Sequence, residues 1–173
     1  MEIIDLYDNK KQKLNKTMAR EDGEPAAGEF KLSVHAWVLN DEGKLLIQKR
    51  NENLKRNPGK WGFTGGAVDA NETSLDGAMR EIKEELGVEI SKDEIEYLLS
   101  FKREKGFVDI WLVKKNIAIE ELVLQPEEVS EARWVSLKEL KMLIENDEMV
   151  KSVNLYLDIF EKLLKKCHNV SED

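Results

Sequence analysis

The apolar positions of this chain change period along its length, and the period marks its elements. Leu75, Ala78, Met79, Ile82 and Leu86 recur at helical spacing and fall on one stripe. They predict an amphipathic helix from Thr73 or Ser74 to Leu86. Gly87 follows, where a glycine commonly ends a helix. Upstream, residues 31–39 and 44–50 read as a strand pair across Asn40-Asp41-Glu42-Gly43. Residues 2–18 suggest a small β-hairpin turning near Asp8-Asn9, and residues 21–29 a loop with Pro25 and two glycines. Pro58-Gly59 reads as a turn and residues 61–64 as a short strand. Downstream, residues 95–102 and 107–114 predict a second strand pair, and residues 132–135 a further strand. Residues 120–123 form a weaker stretch. Ser136 is the expected N-cap of a helix over residues 137–145, with Glu139 completing a capping box. A last helix is expected over residues 147–167. Its wide stripe of Val150, Val153, Tyr156, Leu157, Phe160, Leu163 and Leu164 serves either the core or a homodimer contact. His35 and Trp37, inside the first long strand, read as core residues.

The 173 residues suit a single domain, with residues 1–28 as an N-terminal hairpin and loop and residues 147–167 as a C-terminal helix. The net charge of −8 argues against a nucleic-acid-binding surface. It does not exclude a polyanionic small molecule, because a bound metal reverses the local field. The single cysteine, Cys167, allows no disulfide within the chain, which fits a reducing, cytoplasmic setting. The first residues, MEIIDLYDNK, lack a basic start and a long apolar run, so no secretory signal is expected. No apolar run approaches the ~18 residues of a membrane span.

Candidate chemistry concentrates on the helix that ends at Leu86. Glu81, Glu84 and Glu85 point away from its apolar stripe. Like charges at such spacing repel one another. A charge run of this kind is ordinarily a solvated face. The alternative is that a hard divalent cation, Mg²⁺ or Mn²⁺, offsets the repulsion through oxygen ligands. Gly65-Gly66 ahead of the helix would let backbone approach a metal or a phosphate closely. Arg80 can pair with one of the carboxylates and fix its rotamer. Residues 50–60 carry Arg50, Lys55, Arg56 and Lys60 in an otherwise acidic chain. They form either a solvated turn or a phosphate clamp. The clamp is favoured for Arg50 and Lys55, because this loop leads directly to the glycine pair.

The full spacing is more specific than any of its parts. Gly66, five residues, Glu72, seven residues, Arg80-Glu81-Ile82, one residue, Glu84-Glu85, one residue and Gly87-Val88 resemble the signature box of the Nudix hydrolases at every fixed position. The runs HAWVLNDEGKLLIQKR, PGKW, DIWLV and LQPEEVSEARWVS resemble the isopentenyl-diphosphate-isomerase-like branch of that family. The resemblance implies an α/β fold, a Nudix-type α/β/α sandwich with a mixed β-sheet. It implies Glu81, Glu84 and Glu85 as ligands of Mg²⁺ or Mn²⁺, a backbone ligand from the Gly65 or Gly66 carbonyl, and Glu72 with Arg80 as a brace. A box glutamate, Glu127 or Glu128 would act as the base. The implied activity is metal-dependent hydrolysis of a small-molecule diphosphate, either a nucleoside diphosphate derivative or another organic diphosphate.

Two other activities fit the same resemblance: an isopentenyl diphosphate isomerase and a non-catalytic nucleotide-binding module. The isomerases carry a cysteine just after the strand that follows the Pro-Gly-x-Trp turn, with a histidine nearby. Here residues 61–68 hold neither, and Gly66 aligns with the cysteine. Cys167 lies near the other end of the chain, and the only histidines are His35 and His168. The intact glutamates argue against an idle module. Hydrolysis at phosphorus is therefore the expected chemistry.

Overall fold

A computed structural model describes residues 2–169. In chain order the elements are β1 (Ile3–Tyr7), β2 (Lys13–Ala19), β3 (Lys31–Leu39), β4 (Leu45–Arg50), β5 (Trp61–Gly62), α1 (Ser74–Leu86), β6 (Ile95–Lys102), β7 (Gly106–Lys114), β8 (Val129–Val135), α2 (Leu137–Glu145) and α3 (Leu157–Asn169), with short 3₁₀ turns at Ile119–Glu121 and Lys151–Tyr156. This is the α/β class expected. The chain divides into two compact units, Met1–Trp37 with Thr64–Val113 and Val38–Phe63 with Lys114–Asp173.

In the first unit β1 and β2 form the expected N-terminal hairpin, with Ile3 opposite Ala19 and Tyr7 opposite Lys13. β6 and β7 pair antiparallel, and β7 neighbours β3. Residues 64–68 run along β3. Ala36 and Val34 donate to the Thr64 and Gly66 carbonyls at 2.9 Å each, and Val68 donates to Leu32 at 3.0 Å. α1 begins where the periodicity placed it. Thr73 accepts the Asp76 amide while Asp76 reaches back to the Thr73 amide, a capping box of about 1 kcal/mol. Gly87, at φ 69°, closes the C-terminus. Ala78, Ile82 and Leu86 are fully enclosed. Burying each of the two larger side chains stabilises the unit by about 1.5–3 kcal/mol. Leu75 and Met79, at the edges of the stripe, are only half-buried. Trp37 is buried, as expected of a core aromatic.

In the second unit β4 pairs antiparallel with β5, β8 and the end of β3. A parallel bridge joins Trp61 to Met149, so pairing here is mixed. β8 starts at Val129, three residues before the predicted strand. The predicted last helix needs a larger correction. The Glu148 carbonyl accepts from the Trp61 amide, and the Val150 amide donates to the Trp61 carbonyl. These bonds hold the chain extended where helix was expected, after Asp147 at φ 56°. α-Helix begins only at Leu157, beyond the 3₁₀ turn. Val153, Tyr156 and Phe160 are buried, so this part of the stripe serves the core. The side chains of Cys167 and His168 lie outside the described residues. Residues 120–123 hold part of the 3₁₀ turn and no strand. Among the described residues no helix is long and apolar enough to cross a membrane.

Candidate active site

The first unit assembles the box around Arg80. Its Nε donates to Glu72 Oε1 at 2.9 Å and one terminal nitrogen donates to Glu72 Oε2 at 3.1 Å. That nitrogen also reaches the Ala67 carbonyl at 2.9 Å. The other terminal nitrogen donates to Glu81 at 2.9 Å and Glu84 at 3.0 Å. Asp69 stands 3.7 Å from Nε. Burial opposes the charge on Arg80, but the bonds to Glu72 and Glu81 outweigh it and hold the guanidinium above its ordinary pKa. Arg80 and Glu72 are thus paired side chain to side chain.

The three glutamates differ in setting. Glu81 and Glu85 are 6% and 5% exposed, while the Glu84 side chain is 50% exposed. All three lie on the side away from the apolar stripe in the sequence pattern, yet Glu81 and Glu85 are buried. Burial raises the Glu81 carboxyl above its usual pKa, against the lowering effect of Arg80. Glu85 accepts the Gly65 amide at 3.0 Å.

The glycine pair explains how buried carboxylates fit. Gly65 has φ 154°, and a Cβ there would collide with the Val34 carbonyl and lie 3.0 Å from the His35 Cα. At Gly66 a Cβ would lie 2.7 Å from the Glu81 Cδ. The absence of a side chain at Gly66 is thus the space that the Glu81 carboxylate fills. His35, half-buried in β3, touches the same turn, and burial, reinforced by Arg103, pushes its imidazole down to about 4. The imidazole is neutral at pH 7.

Glu81 and Glu84 meet at one terminal nitrogen of Arg80. Among the described residues no three acidic, histidine or cysteine side chains form a group that could hold a metal ion. Arg80 is bonded to Glu81 and Glu84, and Glu85 is turned onto the Gly65 amide.

Arg50, Lys55 and Glu128 belong to the second unit. Arg50, half-buried, donates through Nε to the Arg56 carbonyl at 3.1 Å, and Lys55 is exposed. Lys60 is tied to Asp147, 3.1 Å from its carboxylate, so this cation anchors the loop. The Asn51 amide donates to the Glu128 carbonyl, and its side chain donates to the Pro126 carbonyl at 2.6 Å. These bonds join the start of the basic loop to residues 126–128. Glu127 is exposed and Glu128 half-buried.

Sequence reasoning missed Asp69 beside Arg80, and it missed Asp5, which accepts the Asn71 amide at 2.9 Å. Asn71 itself carried a signal, since Asn tolerates the left-handed turn that precedes the N-cap, and its φ is 70°. No local pattern announces its partner in β1.

Comparison with known proteins fits this geometry. The NUDIX domain family model matches residues 29–154. The uncharacterized Nudix hydrolase lmo0368 of Listeria monocytogenes is 37% identical over 152 residues, covering 87% of this chain and 89% of that protein. The crystal structure of DR0079 from Deinococcus radiodurans superposes with a TM-score of 0.74 at 24% identity, covering 96% of this chain and 99% of that one. The crystal structure of MutT protein from Methanosarcina mazei Go1 has a TM-score of 0.59 at 26% identity, over 77% of this chain and 94% of that one. The chain belongs to the Nudix family and is an enzyme of the Nudix hydrolase kind, with the Nudix fold.

Proposed function

We propose that this enzyme is a Mg²⁺- or Mn²⁺-dependent pyrophosphohydrolase that cleaves a nucleoside diphosphate derivative or another organic diphosphate by attack of water at phosphorus. The observation that carries the reading is the fit of the buried Glu81 carboxylate into the space beside Gly66, one turn of helix from the equally buried Glu85. Buried carboxylates are costly unless paired or coordinated. Their oxygens are the hard donors that Mg²⁺ and Mn²⁺ take. The Gly66 carbonyl already accepts from Val34, which favours the Gly65 carbonyl as the backbone ligand beside Glu81, Glu84 and Glu85.

When bound, the metal would supply charge neutralisation on the diphosphate oxygens and a lowered pKa for the attacking water. The chain's own residues do the rest. Arg80 holds one oxygen each of Glu81 and Glu84 through a single terminal nitrogen, which leaves the second oxygen of each for a metal, while its two hydrogen bonds to Glu72 keep the guanidinium in place. Arg50 and Lys55 are assigned to the substrate phosphates, as charge-assisted donors. Glu128, adjoining the basic loop through Asn51, is a candidate base for the attacking water, alongside Glu127 and the box glutamates.

The wider sequence runs resemble the isopentenyl-diphosphate-isomerase-like branch, but the chemistry proposed is hydrolysis. Residues 61–68 offer no cysteine or histidine to protonate a carbon. A panel of diphosphates in ¹⁸O-labelled water with Mg²⁺ or Mn²⁺ tests this. Label in a phosphate product is expected. Deuterium exchange into isopentenyl diphosphate in heavy water, with no phosphate released from any substrate, would assign the isomerase chemistry instead.

A further inference from the structure

Residues 2–28 lie ahead of the family match, yet β1 is bonded to the loop that opens the box. Ile4 and Asp69 form an antiparallel bridge. The Ala70 amide donates to the Ile3 carbonyl at 2.7 Å. The Asn71 amide donates to Asp5 Oδ2 at 2.9 Å, and Lys13 of β2 donates to that same oxygen at 2.6 Å. The hairpin is held at its far end too. Lys11 pairs with Asp109, buried on β7, and Tyr7 and Phe30 exchange backbone hydrogen bonds at 2.9 Å. The hairpin therefore bridges β7 and the box loop within one unit.

Asn71 occupies the left-handed region, which asparagine adopts more readily than other non-glycine residues. The Asp5 bond holds the amide of this turn in place. The next residue is Glu72, whose Oε2 accepts the Asp69 amide at 3.0 Å and whose two oxygens both receive Arg80. Arg80 in turn fixes Glu81 and Glu84. A series of hydrogen bonds, joined through the peptide link from Asn71 to Glu72, thus runs from a side chain outside the matched region to Glu81 and Glu84.

We propose that the N-terminal hairpin is part of the active-site scaffold, and that Asp5 is a positioning residue acting through Asn71, Glu72 and Arg80 on Glu81. The kinetic consequence rests on the pyrophosphohydrolase reading; the geometric one does not. In the wild-type chain the Asn71 amide and the Arg80 Nε proton should exchange at least tenfold more slowly than an exposed loop amide such as that of Lys55, after correction for intrinsic rates. Asp5→Ala should accelerate both at least tenfold while the Ile82 and Leu86 amides stay protected. It should also weaken Mn²⁺ binding severalfold and lower kcat about tenfold with KM within twofold, as losses behind a metal site do. Asp5→Asn retains an acceptor oxygen and should recover most of the rate. A folded Asp5→Ala chain with unchanged Arg80 exchange and unchanged Mn²⁺ affinity would make the hairpin merely structural and overturn the proposal, whatever its melting temperature. Fast exchange at Asn71 in the wild type would overturn it without any variant. If the wild type hydrolyses no diphosphate, the activity reading falls, while exchange and Mn²⁺ titration still decide the positioning role.

Discussion

Arg80 in the first unit is bonded to Glu72, Glu81, Glu84 and the Ala67 carbonyl, and two of the carboxylates beside it in the box are buried. Arg50 in the second unit is bonded through Nε to one backbone carbonyl, and Lys55 stands in solvent. Each is a cation in an acidic protein, but the two are held very differently. Moving a half-buried, cross-braced charge costs several broken bonds, so its position is set before any ligand arrives. A cation with a single backbone bond, or one exposed like Lys55, can follow its ligand and is more open to screening by salt. The first arrangement suits groups that must meet the reacting atoms in one geometry, and the second suits groups that recognise a substrate. The contrast predicts kcat effects from the box unit and KM effects from the basic loop.

The largest effect is expected at Glu85. Glu85→Gln keeps an oxygen to accept the Gly65 amide, so the fold should survive despite the burial of this residue. It removes the charge of a proposed metal ligand. Losing several kcal/mol of charge stabilisation corresponds to about a thousandfold in kcat. Turnover within threefold of wild type at saturating Mg²⁺, with an unchanged melting curve, would remove Glu85 from the ligand set and erase the contrast at its strongest point.

The next effect is on stability. Burial holds the His35 imidazole at about 4, below its usual value of about 6.5. Between those values the unfolded chain binds a proton that the folded chain does not. Stability is therefore full above about 6.5, is lost as pH falls through that window, and levels off below about 4. The shift corresponds to about 3 kcal/mol. Denaturant titrations at pH 7 and pH 4 should show His35→Gln losing less stability than wild type across this interval. Equal losses in both proteins would mean that the imidazole charges freely where it stands.

Gly66→Ala should act more mildly. The added Cβ presses on the Glu81 carboxylate. That carboxylate is the end of a flexible side chain, but Arg80 holds it. Displacement by a fraction of an ångström should cost roughly tenfold to thirtyfold in kcat, with α1 intact by circular dichroism. An unchanged kcat would show that the close approach at Gly66 has no part in the reaction.

What the sequence disclosed follows the same division between local and distant causes. α1 was legible because its stripe, its N-cap region and Gly87 are local signals, and α2 was legible through Ser136 and Glu139. The burial of Glu81 and Glu85 was not. Helical periodicity gives the angle between the carboxylates and the apolar stripe, but not what covers the other side. The late start of α3 was hidden for a related reason. The spacing of Val150, Val153 and Tyr156 fits a helix, and only pairing with Trp61, far upstream, holds residues 148–150 extended. Asp5 meets Asn71 across 66 positions, with no local pattern to announce it.

The smallest effects are expected in the basic loop, and they test the second half of the contrast. Arg50→Ala removes a guanidinium whose Nε braces the Arg56 carbonyl and whose terminal nitrogens are assigned to substrate phosphate. A charge-assisted contact at a partly exposed position contributes about 1 kcal/mol or less. KM for a diphosphate substrate should therefore rise severalfold, with kcat within about twofold, the pattern of a lost binding interaction that does not strengthen at the transition state. Lys55→Ala, farther into solvent, should raise KM by about twofold or less. Both increases should shrink as salt is added, since screening weakens the wild-type contact while the variants have none to lose. Arg50→Lys separates the two roles of the guanidinium, because an ammonium keeps the charge but not the fork. If Arg50→Lys restores KM, charge alone recognises the phosphate. If Arg50→Ala instead lowers kcat and leaves KM and its salt dependence unchanged, Arg50 behaves like the box residues, and the division between a fixed reacting centre and an adaptable recognition loop does not describe this enzyme.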